Sequence, residues 1–183
     1  MECGHKMFAI KFWDTERNTT ISTMLGHEGH VFEMVFSPNG NLIASCSGDG
    51  TVRIWHLNQQ RQILELHGHS LGVRRVAFSP DQRTVVSGGS DGRVVFWDLE
   101  TGREMQELNL NADFIQGLTV SADGQTLATS SHVGGGCRTG ASIFGWHLAP
   151  RSNDASPCGK GRKHRTGRLG GFGYWTAIVL MVE

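Results

Sequence analysis

Three tryptophans, Trp13, Trp55 and Trp97, follow one another at a step of 42 residues, and this step constrains the fold more than any other feature of the chain. It carries Gly26-His27 onto Gly68-His69 and aligns FSPNG (36–40) with FSPDQ (78–82) and VSADG (120–124). Self-similarity at such a period marks supersecondary units that cannot bury their apolar faces alone and therefore stack on their neighbours.

Each period reads as a run of short strands. VFEMVFS and VRRVAFS mix alternation with β-branched and aromatic residues and end in a Pro/Asn/Asp/Gly cluster. NLIASCS and RTVVSGG follow as nearly continuous apolar runs, and then GDG or SDG turns the chain where glycine accepts a positive φ. TVRIWHL and RVVFWDL come next, then a polar turn and RQILELH or REMQELN. Four antiparallel strands per period describe a propeller blade.

These motifs resemble the WD-repeat (WD40) β-propeller family: a Gly-His opening, SPNG or SPDQ after the first strand, and GDGTVRIWH or SDGRVVFWD in the middle. The resemblance covers residues 5–131. It implies an all-β, incomplete propeller of four-stranded antiparallel blades, divided as half-blade 5–25, blade 26–67, blade 68–110 and half-blade 111–131. An irregular Gly-rich, basic tail follows over 132–183.

The resemblance also implies a structural hydrogen-bond relay in each unit, at His27, Ser45, Asp49 and Trp55 and again at His69, Ser87, Asp91 and Trp97. The period selects the hydroxyl: positions 45, 87 and 129 hold Ser, Ser and Thr, whereas 47 and 89 hold Ser and Gly. A turn aspartate can accept from the imidazole, the second ring nitrogen can bond the hydroxyl, and the hydroxyl can accept from the indole N–H. Serine, histidine and aspartate together also invite a hydrolase reading. That chemistry requires one exposed nucleophile beside an oxyanion hole, and a set repeated in every unit between a loop and two strands argues for a structural role instead.

The remaining motifs are weaker. GGCRTGAS (135–142) has phosphate-loop glycine spacing but places Ala141 where the lysine belongs. Cys137, His147, Cys158 and His164 lack the close-spaced pairs that preorganise a zinc site, so neither metal nor cofactor is expected. GKGRKHRTGRLGGFGYW (159–175) interleaves cations, glycines and aromatics as some RNA-binding tails do, which makes nucleic-acid contact the alternative to a protein partner.

Charge sharpens the boundary. Residues 1–131 hold ten basic and fifteen acidic side chains, and residues 132–183 hold seven and two, so a net −5 gives way to +5. Four scattered cysteines and an amino end without an apolar signal core fit an intracellular protein, cytoplasmic or nuclear. The longest apolar run, AIVLMV, is far short of the roughly 20 residues that span a bilayer.

The third unit loses the pattern: Asn111 stands in the histidine position, Val133 in the aspartate position and Thr139 in the tryptophan position. Trp146 in SIFGWHL would suit a third strand displaced by seven residues, but the Gly-rich, basic and aperiodic composition from His132 onward argues for an irregular segment. The amino end enters in mid-blade. About three blades cannot close a ring that takes 4–8, which suggests a truncated or alternative form of a longer propeller, a shifted reading frame after Ser131, or a short chain that self-associates. In the last case the first two strands of one copy would complete a blade with the last two of another. The expected function is a non-enzymatic scaffold for a protein or peptide partner, with Glu28, His30, Ser70, Leu71, Arg74 and Arg75 as candidate contacts and no catalytic residue.

Overall fold

The computed structural model describes residues 8–133 and 138–145, with the backbone alone from 132 onward. Its elements are all strands. β1 (Phe8–Asp14) and β2 (Thr19–His27) form a hairpin, the first sheet. The second sheet holds β3 (Val31–Phe36), β4 (Leu42–Ser47), β5 (Thr51–His56) and β6 (Arg61–His67) in sequence order. The third repeats it with β7 (Val73–Phe78), β8 (Thr84–Gly89), β9 (Arg93–Asp98) and β10 (Glu104–Asn109). β11 (Phe114–Val120), β12 (Thr126–Val133) and β13 (Arg138–Gly145) make the fourth, and every pairing is antiparallel.

β13 lies inside the span expected to be an irregular tail. It pairs with β12 from Thr126↔Gly145 to Val133↔Arg138 without a register shift. An open edge of β12 would leave backbone N–H and C=O groups unpaired, and the β-forming Ile143-Phe144 stretch is near enough in sequence to fill it. Residues 134–137 and 146–183, which include the cysteine-histidine set and the basic segment 159–175, lie outside the described residues.

The repeat has local causes in its turns. After the first strand of each sheet, Ser37 and Ser79 accept the backbone N–H of Leu42 and Thr84 at 2.9 and 3.0 Å, and Asn39 and Asp81 accept those of Asn41 and Arg83. Ser121 and Asp123 repeat the arrangement with Thr126 and Gln125. These side chains close the turn themselves, which is why SPN, SPD and SAD recur. Asp14 and Asp98, each ending the strand before the last of its sheet, accept two backbone N–H groups of the following turn at 2.9 Å.

The sheets stack face to face, and the cores lie between them. Ile10 and Met24 of the hairpin pack on Ile43 and Trp55. Ala44, Cys46, Val52 and Ile54 meet Val76, Phe78, Val85 and Trp97 between the second and third sheets. Val86, Val94 and Phe96 meet Ile115 and Leu127 between the third and fourth. Full burial of side chains this size contributes about 1.5–3 kcal/mol each, so stacking, not the edges of single sheets, holds the molecule together. No helix among the described residues is long and apolar enough to cross a membrane.

Candidate functional site

The loops β2–β3, β4–β5 and β6–β7 meet at one end of the stack. Gly50 and Gly92, with φ of 84° and 71°, make the turns after Asp49 and Asp91, a backbone conformation that costs glycine little. A side chain at Gly72 would come within 3.1 Å of Gly48 Cα, so the β6–β7 loop lies directly on the β4–β5 turn.

Beneath this end run two relays. His27 reaches Asp49 Oδ2 through Nδ1 at 2.8 Å and Ser45 Oγ through Nε2 at 2.7 Å. Trp55 donates its indole N–H to the same Ser45 Oγ at 2.8 Å. In the next unit His69 lies 3.1 Å from both Asp91 oxygens and 2.8 Å from Ser87 Oγ, which accepts from Trp97 at 2.8 Å. One set of protons satisfies all partners: Nδ1–H donates to the carboxylate, the serine O–H donates to Nε2, and the indole donates to the serine.

The electrostatics agree with a neutral imidazole. Burial depresses both His27 and His69 below the ordinary histidine value, against the pull of Asp49 and Asp91. Burial alone would raise the Asp49 carboxyl. Bonds from the Thr51 hydroxyl and His27, with the backbone N–H groups of Thr51 and Glu28, outweigh it and hold the group well below the carboxylate range. Asp91 is likewise depressed, burial being overcome by His69 and by the N–H groups of Arg93 and Ser70. Each aspartate therefore ties a histidine of one sheet and a loop backbone to the turn of the next.

This arrangement is poor at catalysis. Ser45 and Ser87 are fully buried, and each Oγ is occupied by an imidazole and an indole, so a substrate carbonyl has no approach to the nucleophile. Among the described residues no cluster of three His, Cys, Asp or Glu could hold a metal ion. In the third unit, Asn111 sits at φ 50° and Thr129 is buried.

Of the six residues expected to meet a partner, Glu28, His30, Ser70 and Leu71 are exposed. His30 packs edge-on to Phe8 at 4.8 Å between ring centroids. Arg74 is half-buried between the rings of Phe32 (5.6 Å) and Phe114 (4.5 Å), with Nε donating to Ser90 Oγ at 3.0 Å. Arg75 turns the other way: its Nε donates to the Gln116 carbonyl and its Nη1 to that of Arg74, so it bridges the third and fourth sheets. Sequence reasoning missed Thr51, a second ligand of Asp49, although Asp-Gly-Thr carries it two residues on. It also missed Phe32 and Phe114, for which no sequence signal distinguishes a rim ring from a core ring.

The family model described as "WD domain, G-beta repeat" matches residues 18–56 and 60–98. The chain carries WD40 repeats. Each matched WD40 unit runs from the outer strand of one sheet through the first three strands of the next, so His27 and His69 reach forward from the end of the preceding sheet. Similar proteins include the U5 small nuclear ribonucleoprotein 40 kDa protein of Dictyostelium discoideum, 40% identical over 50 residues, or 27% of this chain and 14% of that protein. The Periodic tryptophan protein 2 homolog of Schizosaccharomyces pombe is 43% identical over 47 residues, 26% of this chain and 6% of its own length. Nuclear distribution protein nudF of Aspergillus flavus is 40% identical over 53 residues, 29% and 11% respectively. The chain thus matches a seventh or less of the length of these relatives.

Proposed function

We propose that the chain is a non-enzymatic, intracellular interaction scaffold whose loop end presents Glu28, His30, Ser70, Leu71 and Arg74 to a protein or peptide. One observation carries this reading: the relays consume the polar groups beneath the loops, so the loops are braced while their side chains remain outside. Leu71 is 56% exposed in a loop whose backbone is tied to Asp91 through Ser70 N–H at 3.0 Å. A braced apolar side chain beside a stacked arginine offers contact area at little ordering cost. The names of the relatives, a ribonucleoprotein component and a nuclear distribution protein, support a place in or near multi-protein assemblies.

The test is peptide-display selection on the folded chain, followed by binding of selected peptides to Leu71→Asp, Arg74→Ala and the outer-strand control Met105→Asp. Loss with the first two and retention with the third is the expected result; equal binding to all three overturns the reading. The net +5 of residues 132–183 favours a second reading, contact with nucleic acid. It predicts binding that falls steeply with added salt and disappears when residues 159–175 are deleted.

A further inference from the structure

Arg74 differs from the other braced arginines in what its charge meets. Arg53 and Arg93 pair with Glu65 and Glu107, and Arg75 commits Nε and Nη1 to two carbonyl groups. Arg74 donates Nε to Ser90 Oγ at 3.0 Å, while its two Nη groups bond no described residue and neither is sealed from solvent.

The side chain is nevertheless fixed. The 42-residue step puts Phe32 and Arg74 at one position of successive first strands, and Gly48 and Ser90 at one position of successive turns. Phe32 lies over Gly48, where an added Cβ would sit 3.4 Å from its ring. Arg74 leans on Ser90 in the same way, and the Ser90 N–H donates to the Gly72 carbonyl at 2.8 Å. Ser90 adjoins Asp91, so the relay that anchors the turn also anchors the arginine. Phe32 of the second sheet and Phe114 of the fourth approach the guanidinium from the sheets on either side of its own, at 5.6 and 4.5 Å. Rings so placed favour the cation and remove the rotamer freedom that an arginine otherwise loses on binding.

Shape and charge limit what such a group can hold. The outer N–H groups of Nη1 and Nη2 are coplanar and parallel, matching the two oxygens of a carboxylate. Only one positive charge is offered, because Arg75 is turned to the carbonyls and Gln116, one step on from Arg74, is neutral. Glu28 and Asp113 stand exposed at the same end. A phosphate monoester carries a charge of about −1.5 to −2 and would be left partly uncompensated there, whereas one carboxylate is matched. Phe32, 46% exposed, adds apolar surface beside the fork. Resting on the scaffold reading above, we infer that Arg74, clamped by Phe32 and Phe114 across three sheets, is the recognition site for a single glutamate or aspartate side chain set among apolar residues of a partner peptide.

The experiment uses the full chain and arrays of short peptides with amidated carboxyl ends, apolar and neutral except for one central position held as Glu, Gln or phosphoserine. Glu peptides are expected to bind about tenfold or more tighter than their Gln counterparts, the scale of a hydrogen bond to a charged group, and tighter than the phosphoserine set. Arg74→Lys keeps the charge without the fork and should abolish the preference for Glu; Phe32→Leu, at an exposed position where folding is spared, should reduce it. Circular dichroism checks both folds. Equal binding of Glu and Gln peptides that is still lost in Leu71→Asp overturns the inference and leaves the scaffold reading standing, and binding of no peptide removes both. A preference for phosphoserine, a Glu preference that survives Arg74→Lys, or Gln peptides with a free carboxyl end that match the Glu set each overturns it as well, the last by assigning the fork to a chain terminus.

Discussion

Asp91 binds an imidazole, two backbone N–H groups and the Ser70 hydroxyl, so its removal leaves several donors without an acceptor. Asp91→Ala is expected to lower stability by about 1–3 kcal/mol, the usual cost of orphaned buried polar groups; an unchanged urea midpoint would show that the relay contributes nothing. Acid acts on the same groups. Because folding depresses His27 and His69 below 6.5, the unfolded chain takes up protons that the folded one refuses. Their contribution is complete above that value and declines as pH falls below it, each histidine adding at most about 1.4 kcal/mol per pH unit. Asp49 and Asp91, also depressed, add a further loss only below about pH 4. Denaturation midpoints measured from pH 8 to pH 4 should therefore be level and then fall below about 6.5, with a second, steeper fall only on going below pH 4; a midpoint independent of pH across 6.5 contradicts the neutral imidazoles. Cys46 offers a third probe. Burial, helped by Glu33, pushes its thiol up to about 12, so maleimide labelling mapped to the Cys46 peptide should follow global unfolding, and rapid labelling of the native chain would refute its burial.

At the scale of the strand, the first strands carry register shifts between Val31 and Glu33, Val73 and Arg75, and Ile115 and Gly117. Each bulge moves the alternation by one residue, so that Val73, Val76 and Phe78 share a side although their spacing is uneven. This explains what was legible in the sequence. The strand order follows from the 42-residue step, because the turns repeat with it; the relay residues follow from the resemblance to the WD-repeat family, within which the step selects the hydroxyl. The inward turn of Arg75 follows from neither, because strict alternation cannot place a residue beside an unseen bulge. β13 was obscured for another reason: the Asp-Gly turn is missing, the tryptophan of SIFGWHL falls seven residues late, and the Gly-rich, basic composition from His132 onward points to an irregular segment. Gly88 is a close contact between the third and fourth sheets, where an added Cβ would sit 2.7 Å from Ile115 Cγ2. Gly88→Ala should destabilise by about 1–3 kcal/mol through overpacking against Ile115, with hydrogen exchange rising first in β11 and β12; a neutral effect would show that Ile115 moves aside freely.

Across the whole molecule, only the second and third sheets have a described neighbour on both faces, and of these the third is the better covered: β7 is buried where β3 is open. Amide exchange should therefore be slowest in β8 and β9 and fastest in the hairpin, with protection falling outward from the third sheet. A hairpin as protected as β8 in a monomeric sample would contradict stacking as the main source of stability. The offset between repeat and sheet also governs how a chain of this kind can be lengthened. The matched unit 60–98 opens with β6, which completes the sheet before it, and closes with β9, which awaits β10. A tandem duplication of 42 residues beginning at Gln60 would give its first new strand to the interrupted sheet and take β10 for its own last place. Every sheet would still have four strands, and each histidine would still meet an aspartate of its own unit. A duplication that is not a whole multiple of this step would leave a sheet short of a strand, so inheritance could extend this architecture only by whole multiples of its period.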